Sequence, residues 1–312
     1  MPVDHPLTSI LVPIDGTPLS EQALPFALAI AGKTGSVTLL EVVPESEPLR
    51  KPFGAITMSA EEVMSMLNEL ASNDLDRAAN HWQDLAAGTT LNRLVGHGDA
   101  TEVILQSAVD HNFELIALAS AGRGAIGRLA LGSVTDRVVR EANTPVIVVR
   151  ESDAPSDRAL PVVGRIIVAL DGSDRALLAI PVAATLAKQL NTEVVALTAV
   201  DLPQVVSPYM GYAPAFSPKI YSDLEEESTN NARKHLDEAV NTFEEHGVNA
   251  TAQLVSGYAV HAIADAATRD DIVVVTSRGQ GGIKRWILGS VTERLIRECP
   301  APVLVVPSHH HE

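Results

Sequence analysis

The chain has 312 residues, 46% of them hydrophobic and 20% charged, with 39 acidic against 23 basic side chains and a formal net charge of −16. That balance repels phosphate backbones and anionic headgroups, and an aromatic share of 4% leaves little for base-stacking platforms, which argues against nucleic-acid and membrane-surface roles. A chain of this length exceeds one small core, so two domains are expected. The single cysteine, Cys299, has no partner for an intramolecular disulfide or a CxxC site and reads as small apolar filler. No apolar run reaches the ~18 to 20 residues that span a bilayer, and the start carries Asp4 in place of a cationic and apolar signal, so a cytoplasmic, soluble protein is expected. Residues 309–312 are set aside as a tail.

In chain order, apolar runs of strand length occupy Ser9 to Ile14, Ser36 to Val43, Leu91 to Val95, Leu115 to Ala119 and Pro145 to Val149. Helical spacing fills the gaps at Leu19 to Ala31, Ala60 to Leu85, Ala100 to Val109 and Ser133 to Glu141. The chain then repeats itself. Ile10 to Gly16 recurs as Ile166 to Gly172, 156 positions on, and Leu115 to Ser120 recurs as Ile272 to Ser277, 157 positions on. Strands of the second copy are expected at Arg165 to Leu170, Glu193 to Val200, Ala250 to Val255, Ile272 to Thr276 and Pro302 to Val306. The expected organisation is therefore a first domain at 1–150, a Pro- and Asp-rich linker at 151–163 and a second domain at 164–308. Strands alternating with helices give α/β folding, two tandem doubly wound units, each a five-stranded parallel sheet with helices on both faces. Pro25 and Pro181 fall at matching places in the first helix of each copy and predict a kink there. Pro44 to Ser59 and Asp201 to Lys219 read as long proline-rich loops, the second rich in aromatic rings and a candidate lid or partner contact.

In an open parallel sheet, ligands bind beyond the carboxyl ends of the strands, where strand order reverses. Asp15 and Asp171 end the first strand of each copy, placed to contact a ligand or to cap the following turn. After the fourth strand comes a glycine-rich loop, Gly122 to Gly127, leading to Gly132 and Ser133 at a helix start; the second copy supplies Gly279, Gly289 and Ser290. Glycines admit close approach of a phosphate, and helix N-termini attract negative charge. Arg123 and Arg278 could add local positive charge. Ser133 with Asp136, and Ser290 with Glu293, also fit capping boxes. The ends of the second strands, Val42 and Ala199, offer apolar walls for a base. GxGxxG at Gly122 to Gly127 stands after the fourth strand, whereas a dinucleotide fingerprint belongs after the first. No HExxH, GxSxG or Walker lysine is present, so catalysis has little support.

With these residues in view, the chain resembles the universal stress protein family in its tandem two-domain form. The family signature is Gly-x2-Gly-x9-Gly-Ser/Thr after the fourth strand, with an Asp ending the first; Gly122 with Gly132-Ser133 and Gly279 with Gly289-Ser290 fit its last part. Both copies depart at the first glycine, which is Ala119 in one and Thr276 in the other, and the smaller Ala119 leads to an expectation of better binding by the first domain. The resemblance implies a stress-response protein binding ATP or a related adenine nucleotide, with or without Mg²⁺, as a regulatory ligand. It implies that Asp15 and Val42 meet adenine or ribose, while Gly122, Arg123, Gly132, Ser133 and Val134 surround the phosphates. Asp171, Ala199, Arg278, Gly279, Gly289, Ser290 and Val291 form the second set. It further implies sheet order 3-2-1-4-5 and antiparallel pairing of the two fifth strands within one chain, a pseudo-dimer that could associate further into a homodimer. Two rivals keep the fold. In one, the sites are closed and the protein acts through protein contacts; in the other, Asp15 or Asp171 holds Mg²⁺ for slow ATP hydrolysis.

Overall fold

The structure is a computed structural model, described here for residues 5–45, 59–86, 88–120, 131–150, 159–200, 218–278 and 288–308. In the first domain, β1 (Ser9–Ile14) leads through a 3₁₀ turn (Ser20–Ala23) into α1 (Leu24–Ala31). Then follow β2 (Ser36–Val43), α2 (Ala60–Ala86), β3 (Thr90–His97), α3 (Ala100–Asp110), β4 (Leu115–Ser120), α4 (Ser133–Glu141) and β5 (Val146–Arg150). The second domain repeats the order as β6 (Arg165–Ala169), α5 (Asp174–Leu177), α6 (Ala179–Leu190), β7 (Glu193–Val200), α7 (Pro218–Glu245), β8 (Ala250–Ser256), α8 (Ala259–Ala266), β9 (Asp271–Thr276), α9 (Ser290–Glu298) and β10 (Val303–Val306).

The ten strands among the described residues join one sheet in the order β3-β2-β1-β4-β5-β10-β9-β6-β7-β8. Within each half the strands are parallel and ordered 3-2-1-4-5, and the halves meet where β5 and β10 pair antiparallel, Val303 opposite Val148 and Val305 opposite Val146. The central strands are mainly apolar because both faces are covered, whereas the edge strands β3 and β8 are partly exposed and carry polar residues. Along β1, Ile10, Val12 and Ile14 join one core with Phe26, Leu28 and Leu75, while Leu11 joins the other with Ile104 and Val138. Each core crosses the seam: Phe243 and Leu186 belong to the first, Leu295 and the fully buried Cys299 to the second. Full burial of a side chain such as Phe243 stabilises by about 1.5 to 3 kcal/mol. Polar contacts also cross the seam. Arg140 on α4 holds Asp136 at 2.9 Å and reaches Glu293 on α9 at 3.3 Å, and Arg150 donates to the Arg297 carbonyl at 3.1 Å.

Two local expectations are corrected. Pro25 and Pro181 do not kink a continuous helix; each lies in the first turn of α1 or α6, after a separate short turn, where a missing N–H removes no helical bond. Pro218 and Lys219, assigned above to a long loop, open α7. The rest of that loop and most of the earlier one, with the lid or partner contact read from them, lie outside the described residues.

Candidate nucleotide site

The chain leaves β1 at Asp15 and turns through Gly16, which sits at φ +75°. The Asp15 carboxylate accepts from the Thr17 backbone N at 3.1 Å and the Thr17 hydroxyl at 2.5 Å, while Ser20 Oγ accepts from Asp15 N at 3.1 Å. Burial alone would raise the Asp15 pKa, but the hydrogen bonds from Thr17 and Ser20 hold the carboxyl below its ordinary value. The second domain repeats this turn: Asp171 accepts from Ser173 N at 3.1 Å and Ser173 Oγ at 2.6 Å, around Gly172 at φ +77°. Both aspartates thus use one oxygen for the turn and keep an exposed position.

Ile14 lies opposite Glu41 in the β1–β2 register, so Asp15 emerges beside Val42, which is half-exposed. On its other side β1 pairs with β4, which makes the β1–β4 boundary the point where crossovers diverge. Ala119, near the end of β4, accepts through its carbonyl from Thr135 Oγ1 at 3.5 Å, tying the first turn of α4 to the strand. In the second domain Thr292 Oγ1 donates to the Thr276 carbonyl at 2.9 Å, and Gly289 N donates to Ser277 O at 2.8 Å. The structure therefore gathers Asp15, Val42, Ala119, Gly132, Ser133 and Val134 at one mouth, and Asp171, Ala199, Thr276, Arg278, Gly289, Ser290 and Val291 at the other. Gly122, Arg123 and Gly279 lie outside the described residues.

The capping boxes are not formed. Gly132 and Gly289 are themselves the N-caps of α4 and α9, with no side-chain cap bond, and Ser133 and Ser290 are the first helical residues. Asp136 and Glu293 instead hold arginines one turn on, Arg140 and Arg297. By contrast, α3 is capped by Asp99, which accepts from Thr101 N and Glu102 N, and α5 by Ser173. Gly132 has φ −56°, and a Cβ there meets no described atom nearer than Thr135 Oγ1 at 3.8 Å. Gly289, at φ −60°, is similarly uncrowded, with Ser277 O at 3.5 Å. Neither backbone requires glycine, and among the described residues nothing crowds either position. Thr276 spends its hydroxyl on the Arg278 carbonyl at 2.8 Å.

Three features escaped the sequence reading. Arg77 of α2 donates to Glu21 at 2.7 Å and to the Gly16 carbonyl at 2.9 Å, and Trp82 Nε1 donates to the same carboxylate at 3.2 Å, bracing the Asp15 turn against the long helix. At the end of β3, Asp99 pairs with Arg137 of α4 at 3.2 Å; at the corresponding end of β8, Tyr258 stands 5.2 Å from the Arg294 guanidinium. Glu41, beneath the mouth, leaves Oε2 buried without a hydrogen-bond partner among the described residues. Its signal in the sequence was a lone acid in the otherwise apolar run from Leu39 to Val43.

A family model described as the universal stress protein family matches residues 7–150 and 163–307. The chain belongs to that family. It is 34% identical over 144 residues to a universal stress protein of Methanocaldococcus jannaschii, covering 46% of this chain and 81% of that one. A universal stress protein of Mycobacterium tuberculosis strain H37Rv is 30% identical over 210 residues, covering 66% of each chain, and one from Mycolicibacterium smegmatis is 26% identical over 307 residues, covering 95% and 96%. A crystal structure of a universal stress protein from Archaeoglobus fulgidus shares the fold over 97% of this chain and 99% of its own, at 22% identity and a TM-score of 0.66. Among the described residues, no helix is long and apolar enough to cross a membrane.

Proposed function

We propose that this universal stress protein binds ATP or a related adenine nucleotide as a regulatory ligand, foremost at the mouth of the first domain. The observation that carries this reading is the contrast between two helix starts in one domain: α3 has a carboxylate cap, whereas α4 begins at a glycine with no side-chain cap and no crowding neighbour among the described residues. Backbone N–H groups at such a start suit a phosphate, by hydrogen bonding and by the helix dipole. Ser133 Oγ, exposed on the first turn, is available as a further donor. Asp15 and Val42 flank the space where ribose and base would lie, one an acceptor and the other an apolar wall. A Mg²⁺ ion, where bound, would offset charge on the phosphates, with the exposed Asp15 carboxylate within the same mouth.

The test is an equilibrium titration of the full chain with ATP, repeated on Gly132→Ala and Ser133→Ala. Binding by the native chain that weakens at least tenfold in Gly132→Ala supports the assignment. Equal affinity in all three chains removes it. Mass spectrometry of ligand released on denaturing freshly purified protein gives an independent reading, adenine nucleotide being the expected species.

A further inference from the structure

Glu41 lies in the layer between the sheet and α2, directly below the Asp15 turn. The register sets it opposite Ile14 on β1 and opposite Val95 on β3. From β1 the neighbouring charge is Asp15, and from α2 the charges are Asp74 and Arg77. Asp74 is pressed against the turn itself: a Cβ on Gly16 would come within 2.5 Å of its Oδ2. Among the described residues the cation acting on it is Arg77, already engaged with Glu21, the Gly16 carbonyl and, at 3.5 Å, Asp74. His97, further along β3, is bonded to Asn68 of α2 at 2.8 Å. Three carboxylates thus crowd one end of the layer, and the innermost has an oxygen with no hydrogen-bond partner among the described residues. They do not form a metal-holding group among the described residues.

We propose that the protonation state of Glu41 regulates the first-domain site: protonated Glu41 favours an anionic nucleotide above it, ionised Glu41 opposes one, and the second domain lacks this control. The proposal rests on the nucleotide reading given above and adds its regulation. Burial, then repulsion from Asp74 and Asp15, push the Glu41 carboxyl up to about 7, with Arg77 opposing. A proton therefore enters or leaves within the ordinary range of cellular pH. The second domain repeats the frame without the acid. Thr198, buried, holds the place of Glu41 in β7, and His235 stands against Gly172 where Asp74 stands against Gly16.

The charge on Glu41 acts through a partly solvated layer, so its effect on a nearby polyphosphate is on the order of threefold in affinity. The test is ATP titration at pH 6 and pH 8, at constant ionic strength and excess Mg²⁺, on the native chain, Glu41→Gln and Asp74→Asn. Protonation of ATP itself is common to all three chains and cancels in their ratios. The native chain is expected to bind about threefold more tightly at pH 6 relative to Glu41→Gln than at pH 8. Asp74→Asn, by removing the main charge that opposes Glu41 ionisation, is expected to move the midpoint of that change to lower pH. ATP binding with one pH profile shared by the native chain and Glu41→Gln overturns this coupling alone. No ATP binding at either pH overturns the nucleotide reading and the coupling together.

Discussion

Gln189 of the second domain grips the backbone of Leu7 in the first. Its Oε1 accepts from Leu7 N at 2.8 Å, and its Nε2 donates to Leu7 O at 3.3 Å and to Ile30 O at 3.1 Å. Leu7 is fully buried, so none of these backbone groups has ready access to water. The segment feeding β1 is thereby fastened to α6 across the molecule's centre.

Gln189→Ala leaves those backbone groups unpaired and is expected to cost about 2 kcal/mol. Urea unfolding should show a lower midpoint. A change under about 0.5 kcal/mol would mean that water replaces the amide without penalty.

Two glycines separate folding from binding. Gly16 combines φ +75° with close contact to Asp74, so Gly16→Ala is expected to destabilise by about 1 to 2 kcal/mol. Gly132 has an ordinary φ and no crowding neighbour among the described residues, so Gly132→Ala should cost less than about 1 kcal/mol while ATP affinity drops. Thermal melts of both variants, set beside ATP titrations, give the comparison.

Glu41 also links stability to pH. Its carboxyl is raised from 4.5 to about 7, so the folded chain holds this proton more tightly than the unfolded one. Its favourable contribution is complete below the unfolded value and is lost as pH rises towards about 7. After discounting for partial exposure, Glu41→Gln should be more stable than the native chain by about 1 to 2 kcal/mol at pH 8.5, with the gap closing near pH 5. Parallel melts at these two pH values would reveal it, and an unchanged gap would refute it.

Asp271 behaves in the opposite sense. Burial would raise its carboxyl, but two hydrogen bonds from Arg165, at 2.8 and 3.1 Å, and two from Thr268 hold it below the ordinary value. Its stabilisation is present above the unfolded value and is lost as pH falls through the lowered one. Asp271→Ala leaves Arg165, which is one-third exposed, without its carboxylate and should cost about 2 to 3 kcal/mol. Asp271→Asn should flatten the acid side of a stability-versus-pH curve.

Strands and helices were legible because period and length coincide: β1, β2 and β4 are short apolar runs between amphipathic stretches, and the duplication doubled the signal. The seam was not legible from composition. β5 and β10 read as buried strands, but only the family resemblance suggested that they meet. At the site, Asp15 and the Gly132 helix start were visible as residue types. The state of the caps was not, since Ser133 with Asp136 has the spelling of a capping box, whereas Asp136 bonds Arg140. Glu41 was visible as a letter and overlooked, because its environment comes from Asp74, distant in sequence and brought near by folding.

The seam has one further consequence. Strands run parallel within each half and antiparallel across it, so the two sets of carboxyl ends point in opposite directions. The two candidate mouths accordingly lie at opposite rims of the sheet, so the duplication yields a two-headed molecule whose equivalent ends face away from each other.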